Sequence, residues 1–94
     1  MRFRLPLQGE SVSVFLRRMG YHVEGNDRGT GELKFARSLV ARAYPKFHLY
    51  CTPDGLCNLH LDQKEPSYRG SPVHSGEYEG ELVESEAARI QGGP

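Results

Sequence analysis

Histidines stand at positions 22, 48, 60 and 74. They are the side chains of this chain best suited to chemistry near neutral pH. His48 and His60 belong to two segments, Phe47-His48-Leu49-Tyr50-Cys51 and Cys57-Asn58-Leu59-His60-Leu61-Asp62, that alternate with period two. Asp62 lies two residues beyond His60, on the same side of an extended chain. His74 and Glu77 follow in a long connection that leads back toward these segments. Imidazoles that converge with carboxylates suit zinc, iron, nickel or copper. Two imidazoles and one carboxylate leave coordination positions open, which is a catalytic arrangement. Without metal, His60 oriented by Asp62 could act as a base and His48 as a second proton carrier. The candidate ligands are therefore His48, His60, Asp62, His74 and Glu77; the residues do not fix a cofactor, and a divalent ion such as zinc is the candidate. No Ser or Cys nucleophile is placed beside them, which disfavours a nucleophilic hydrolase.

A turn must hold these residues together. Between the alternating segments lies Thr52-Pro53-Asp54-Gly55-Leu56, which fits a type I turn with a G1 bulge. That turn sets 52 opposite 56, 51 opposite 57, 50 opposite 58 and 48 opposite 60. Phe47, Leu49, Cys51, Cys57, Leu59 and Leu61 then share a core face. His48, Tyr50, Asn58, His60 and Asp62 share the other, which is expected to be open. Cys51 and Cys57 face each other, so a disulfide is geometrically possible. In a chain expected in the cytoplasm, two buried thiols are the stronger expectation. Parity excludes a Cys₂His₂ zinc site from this hairpin, because the histidines point the other way.

The remaining elements follow from periodicity. Phe3, Leu5 and Leu7 alternate with Arg2, Arg4 and Pro6, a pattern for a short edge strand. Glu10–Met19 is a predicted helix with Val12, Phe15, Leu16 and Met19 on one stripe, Glu10 in its first turn and Gly20 as a left-handed stop. His22–Gly31 is expected to be a loop. Glu32–Leu39 fits a strand, with Leu33, Phe35 and Leu39 on one face. It also fits a helix, through Leu33, Ala36, Val40 and Ala43. The strand is preferred, with Val40–Pro45 as the following turn. Gln63–Gly80 is expected to be a long connection. Glu81–Gln91 closes the chain as a helix, with Leu82, Val83, Ala87 and Ile90 apolar, Glu81, Glu84 and Glu86 in its first half and Arg89 near its end. The expected fold is one α+β domain over residues 1–91 in the order (β)-α-β-β-β-α. It has an antiparallel sheet, two helices packed on one face, and residues 92–94 as a disordered tail.

The chain has 94 residues, 37% hydrophobic and 26% charged, with no Trp, five Tyr and four Phe, so it supports one small core. Its net charge is zero, but residues 1–46 carry nine Lys/Arg against four Asp/Glu and residues 47–94 carry three against eight. The two halves are expected to attract each other. A net charge of zero is a poor start for a nucleic-acid binder. An RNA-binding module remains the alternative, with Tyr50 and the histidines stacking on bases and Lys34, Arg37 or Arg69 on phosphates. There is no Gly-rich phosphate loop and no RNP-type aromatic pattern. Gly25, Gly29 and Gly31 do not follow a strand into a helix. Apolar runs are too short for a membrane span, and the first residues lack the apolar stretch of a signal peptide.

After a leading strand, the order helix, three strands, helix resembles the double-stranded-RNA-binding-domain fold. Phe15-Leu16-Arg17-Arg18-Met19-Gly20-Tyr21 is similar to the first helix and its exit in HicA-type messenger-RNA interferase toxins. That resemblance implies RNA as substrate. The family's catalytic His follows Gly-Ser on the first core strand, whereas here the matching stretch is Gly31-Glu32-Leu33. From Tyr44 onward the chain also resembles small uncharacterised bacterial proteins. The segments that carry this are Tyr44-Pro45-Lys46-Phe47-His48-Leu49-Tyr50, Leu59-His60-Leu61-Asp62-Gln63-Lys64 and His74-Ser75-Gly76-Glu77-Tyr78-Glu79-Gly80. It implies a role for the His-bearing segments and supplies no activity. The third functional expectation is a protein-interaction or homo-oligomerising domain.

Overall fold

The Thr52–Leu56 turn forms as its residues dictate. The Thr52 and Gly55 amides bond to the Leu56 and Thr52 carbonyls at 2.9 and 3.0 Å. Gly55 takes φ 98°, a conformation open to glycine at no steric cost. The turn joins β4 (Lys46–Cys51) to β5 (Leu56–Asp62), with His48 opposite His60 and Cys51 opposite Cys57. In this computed structural model, residues 1–63, 76, 77 and 79–94 are described, with backbone only at 76 and 77.

The other elements are β1 (Arg2–Arg4), α1 (Val12–Arg18), β2 (His22–Asn26), β3 (Leu33–Ser38), β6 (Gly76–Glu77) and α2 (Glu81–Gly92). The antiparallel sheet runs β1-β5-β4-β3-β2, and β6 pairs with the far part of β5. Phe3, Phe47, Leu49, Leu59 and Leu61 form one buried cluster with Val12, Phe15, Leu16 and Met19 from the first helical segment and Val83, Ala87 and Ile90 from α2. Both helices therefore pack on the core face of the hairpin, as the α+β expectation requires.

Helix α1 begins where Ser11 accepts the Val14 amide at 3.2 Å. It ends in a Schellman pair, Tyr21 N–H to Leu16 C=O and Gly20 N–H to Arg17 C=O, with Gly20 at φ 95°. Glu10 precedes this cap rather than lying in the first turn. The sequence carries an acceptor at Ser11, and that acceptor fixes the start.

Three further expectations are corrected. His22–Asn26, read as loop, is an edge strand. All but Gly25 of its residues are exposed, so no buried face imprints an alternation on the sequence. Its ladder with β3 is interrupted by a bulge between Val23 and Gly25. The connection from 63 to 80 contains the short strand β6. Cys51 and Cys57 form a disulfide rather than two thiols, their Cα atoms 4.2 Å apart across the ladder. Direct opposition in register brings the two sulfurs within bonding reach.

In α2, Leu82 is 50% exposed, and the buried positions are Val83, Glu86, Ala87 and Ile90. The spacing i, i+3, i+4, i+7 starts at 83 and brings an acidic residue into the stripe. The helix runs one residue past its predicted end. Among the described residues, no helix is long and apolar enough to cross a membrane.

Candidate functional site

Register builds the site. Ala36, His48 and His60 form one row across β3, β4 and β5, with Lys34, Tyr50 and Asn58 on one side and Ser38, Lys46 and Asp62 on the other. The face expected to be open is closed over its histidines, which are 5% and 7% exposed. Ring packing explains part of this: His48 and His60 have centroids 5.2 Å apart, and Tyr50 stacks on His60 at 5.4 Å and 16°. Over His48 lies Glu24 of β2. It reaches over the small, fully buried Ala36 side of the sheet to His48.

His48 lies between two carboxylates. Its Nδ1 is 2.5 Å from Asp62 Oδ2 and its Nε2 is 3.0 Å from Glu24 Oε1. Two N–H donors exist only in the imidazolium, so a protonated ring satisfies both acceptors at once and a neutral ring satisfies one. His60 Nε2 lies 3.5 Å from Asp62 Oδ1. Burial is the largest influence on His60 and lowers its pKa; Asp62 opposes this and His48 adds to it. The neutral, lone-pair-bearing form of His60 is thus favoured. For Glu24, burial opposes ionisation, but hydrogen bonding from Lys46 and the bond and charge of His48 outweigh it, holding the carboxyl below its usual range. Lys46 Nζ sits 2.8 Å from Glu24 Oε2, and its own pKa is raised first by that bond. Lys34 Nζ is a looser 3.8 Å from Glu24 and 5.6 Å from the Tyr50 ring centroid.

No protein-family model, curated protein or solved structure matches the chain. The site is accordingly judged on its own geometry.

Donor atoms of His48, His60 and Asp62 lie within 4.8 Å of one another. Tetrahedral ligands at ~2.1 Å from an ion stand about 3.4 Å apart. The His60 Nε2–Asp62 Oδ1 distance of 3.5 Å already has that size, whereas His48 Nδ1 is 2.5 Å from the other oxygen, Oδ2, and would move about 0.9 Å away to admit an ion. Of the sequence-derived set, these three are brought together. His74 and Arg69 lie outside the described residues. Glu77 is described only in its backbone, which pairs with Leu61.

The residues assigned to RNA are divided. Lys34 and Tyr50 share the polar face and border a hollow of about 490 Å³ together with Asp27 and Arg28. Arg37 sits on the opposite face. There it lies over the Phe47 ring and bonds to Glu86 at 3.0 and 3.2 Å. Sequence reasoning missed Glu24 and Lys46. No periodic signal marked Glu24, because β2 has no buried face and its segment reads as loop. Lys46 was legible as the residue opposite Asp62 in the same register.

Proposed function

We propose that this protein binds a divalent metal ion, zinc in the first instance, through His48, His60 and Asp62. The observation that carries the reading is the convergence of two buried imidazoles and one carboxylate within 4.8 Å. Buried polar groups persist where they have partners or a task. His60 favours the neutral form that ligation requires. Among the described residues three protein donors converge; three donors with water or a substrate oxygen in the fourth position are the arrangement of a catalytic rather than a purely structural zinc centre.

The test is elemental analysis of protein prepared without a His tag, with melting curves in zinc, nickel and manganese. Bound metal near one equivalent and a raised melting temperature are expected. His60→Ala should lose both, and binding should weaken as pH falls through the usual His range near ~6.5. No bound metal and no thermal shift would reject the metal reading.

A metal-free acid–base role for the same residues is the second reading. The position of His48 between Asp62 and Glu24 favours it. It predicts indifference to zinc, both in melting temperature and in the NMR spectrum of His60. RNA binding has less behind it, because Arg37 is engaged by Glu86 on the face opposite Tyr50. A filter-binding assay at low salt that finds tight, steeply salt-dependent RNA binding would restore it.

A further inference from the structure

Building on the metal reading, we propose that Glu24 is a positioning residue of the centre and that His48 takes the ion through Nδ1. The two nitrogens of His48 are committed differently. Nε2 is held at 3.0 Å by Glu24 Oε1, which is outside the donor set, whereas Nδ1 is bonded at 2.5 Å to Asp62 Oδ2, one of the other two donors, so an ion between Nδ1 and Asp62 would replace the proton that joins them. A neutral imidazole has one N–H and one lone pair. With the N–H on Glu24, the lone pair is at Nδ1 and faces Asp62. A carboxylate behind a ligating imidazole fixes its tautomer and ring orientation and raises its basicity.

Glu24 is itself anchored for this role. Its second oxygen accepts from Lys46 at 2.8 Å, and Lys34 and His22 lie at 3.8 Å. It is also the residue skipped by the β2–β3 ladder, between Val23 opposite Phe35 and Gly25 opposite Lys34. Bulges at that kind of position aim a side chain that regular pairing would hold elsewhere. The ring is therefore pinned from an edge strand two positions away in the sheet, and His48 can turn only by breaking that contact.

The experiment compares zinc affinity of wild type, Glu24→Gln and Glu24→Ala by competition with a chromophoric chelator. It adds ¹⁵N histidine spectra of the zinc-loaded wild type and melting temperatures of the metal-free forms. Glu24→Ala is expected to bind zinc about 10- to 100-fold more weakly. Glu24→Gln, whose amide oxygen still accepts the Nε2 proton, should lose less. The spectra should show His48 protonated at Nε2 and ligated at Nδ1, a signature that a merely structural role for Glu24 would not produce. Zinc bound equally well by all three proteins, or ligation at Nε2, would overturn this inference and leave the metal reading standing. Failure of the wild type to bind zinc would overturn both. If Glu24→Ala does not fold, the spectra and Glu24→Gln decide.

Discussion

Glu86 is a carboxylate inside the apolar stripe of α2, 4% exposed. It is tolerated there because every part of it is engaged. Arg89 donates at 2.7 and 2.9 Å, Arg37 at 3.0 and 3.2 Å, and the Tyr21 hydroxyl at 2.6 Å. Burial opposes its ionisation, but these bonds outweigh that and hold its pKa below the usual carboxylate range. Arg89 also donates to the Met19 carbonyl at the end of α1. One carboxylate thus ties α2 to β3 and to the exit of α1. Removing one member of a buried charge cluster leaves the others uncompensated, at a cost of ~3 kcal/mol. Both arginines keep some contact with water, which places Glu86→Ala at the lower end of the range for such changes. Tyr21→Phe removes one hydrogen bond to a charged acceptor and should cost about 1.5–3 kcal/mol. Urea unfolding of the two variants checks both, and a Glu86→Ala loss under ~0.5 kcal/mol would show that the cluster is solvated in solution.

At the scale of elements, the hairpin organises the molecule. Its turn sets the register, and the register assigns each residue of β4 and β5 to the core or to the histidine face. Leu59 is fully buried beneath the helices, so Leu59→Ala should cost about 2–5 kcal/mol. Leu82→Ala, at an exposed position of α2, should stay within ~0.5 kcal/mol. Gly55→Ala should cost about 1 kcal/mol or more. Its positive φ strains any side chain, and a Cβ there would stand 3.0 Å from Leu7 Cδ1. Thermal or urea melts of the three variants, ranked in that way, check the parity. A Leu59→Ala protein as stable as Leu82→Ala would mean that the two faces are exchanged.

For the molecule as a whole, the shifted groups define a window of stability in pH. His60 has its pKa lowered chiefly by burial. The unfolded chain therefore binds its proton first, and stability falls as pH drops below ~6.5. Glu24 and Glu86 are also lowered, so each contributes stability that is present above ~4.5 and lost as pH falls through its folded value. Tyr21 moves the other way. Burial first, and the neighbouring Glu86 second, raise its pKa far above normal, so its contribution is present below ~10 and lost at higher pH. The Met1 α-amino group is lowered chiefly by burial in the same way, so urea midpoints measured from pH 4 to pH 11 should trace a plateau between about 8 and 9.5, with an acid flank below it. In Tyr21→Phe the alkaline flank should flatten; an unchanged flank would refute its assignment to Tyr21.

The residues between Phe47 and Asp62 determined much by themselves. Alternation with period two and a Pro-Asp-Gly turn allow one register, and that register places His48 against His60 and Cys51 against Cys57 without knowledge of any other element. The stripe of α1 and its Gly20 exit were equally legible, because local geometry and burial there agree. What lay outside the sequence's reach was set by partners distant along the chain. Strand β2 carries no buried face and owes its existence to pairing with β3. Glu86 lies in an apolar stripe because Tyr21, Arg37 and Arg89 converge on it. The second carboxylate on His48 comes from Glu24, 24 residues before it, reaching across β3. Periodicity records which side of an element is covered, but the partner that satisfies a buried charge is chosen only when strands and helices are assembled.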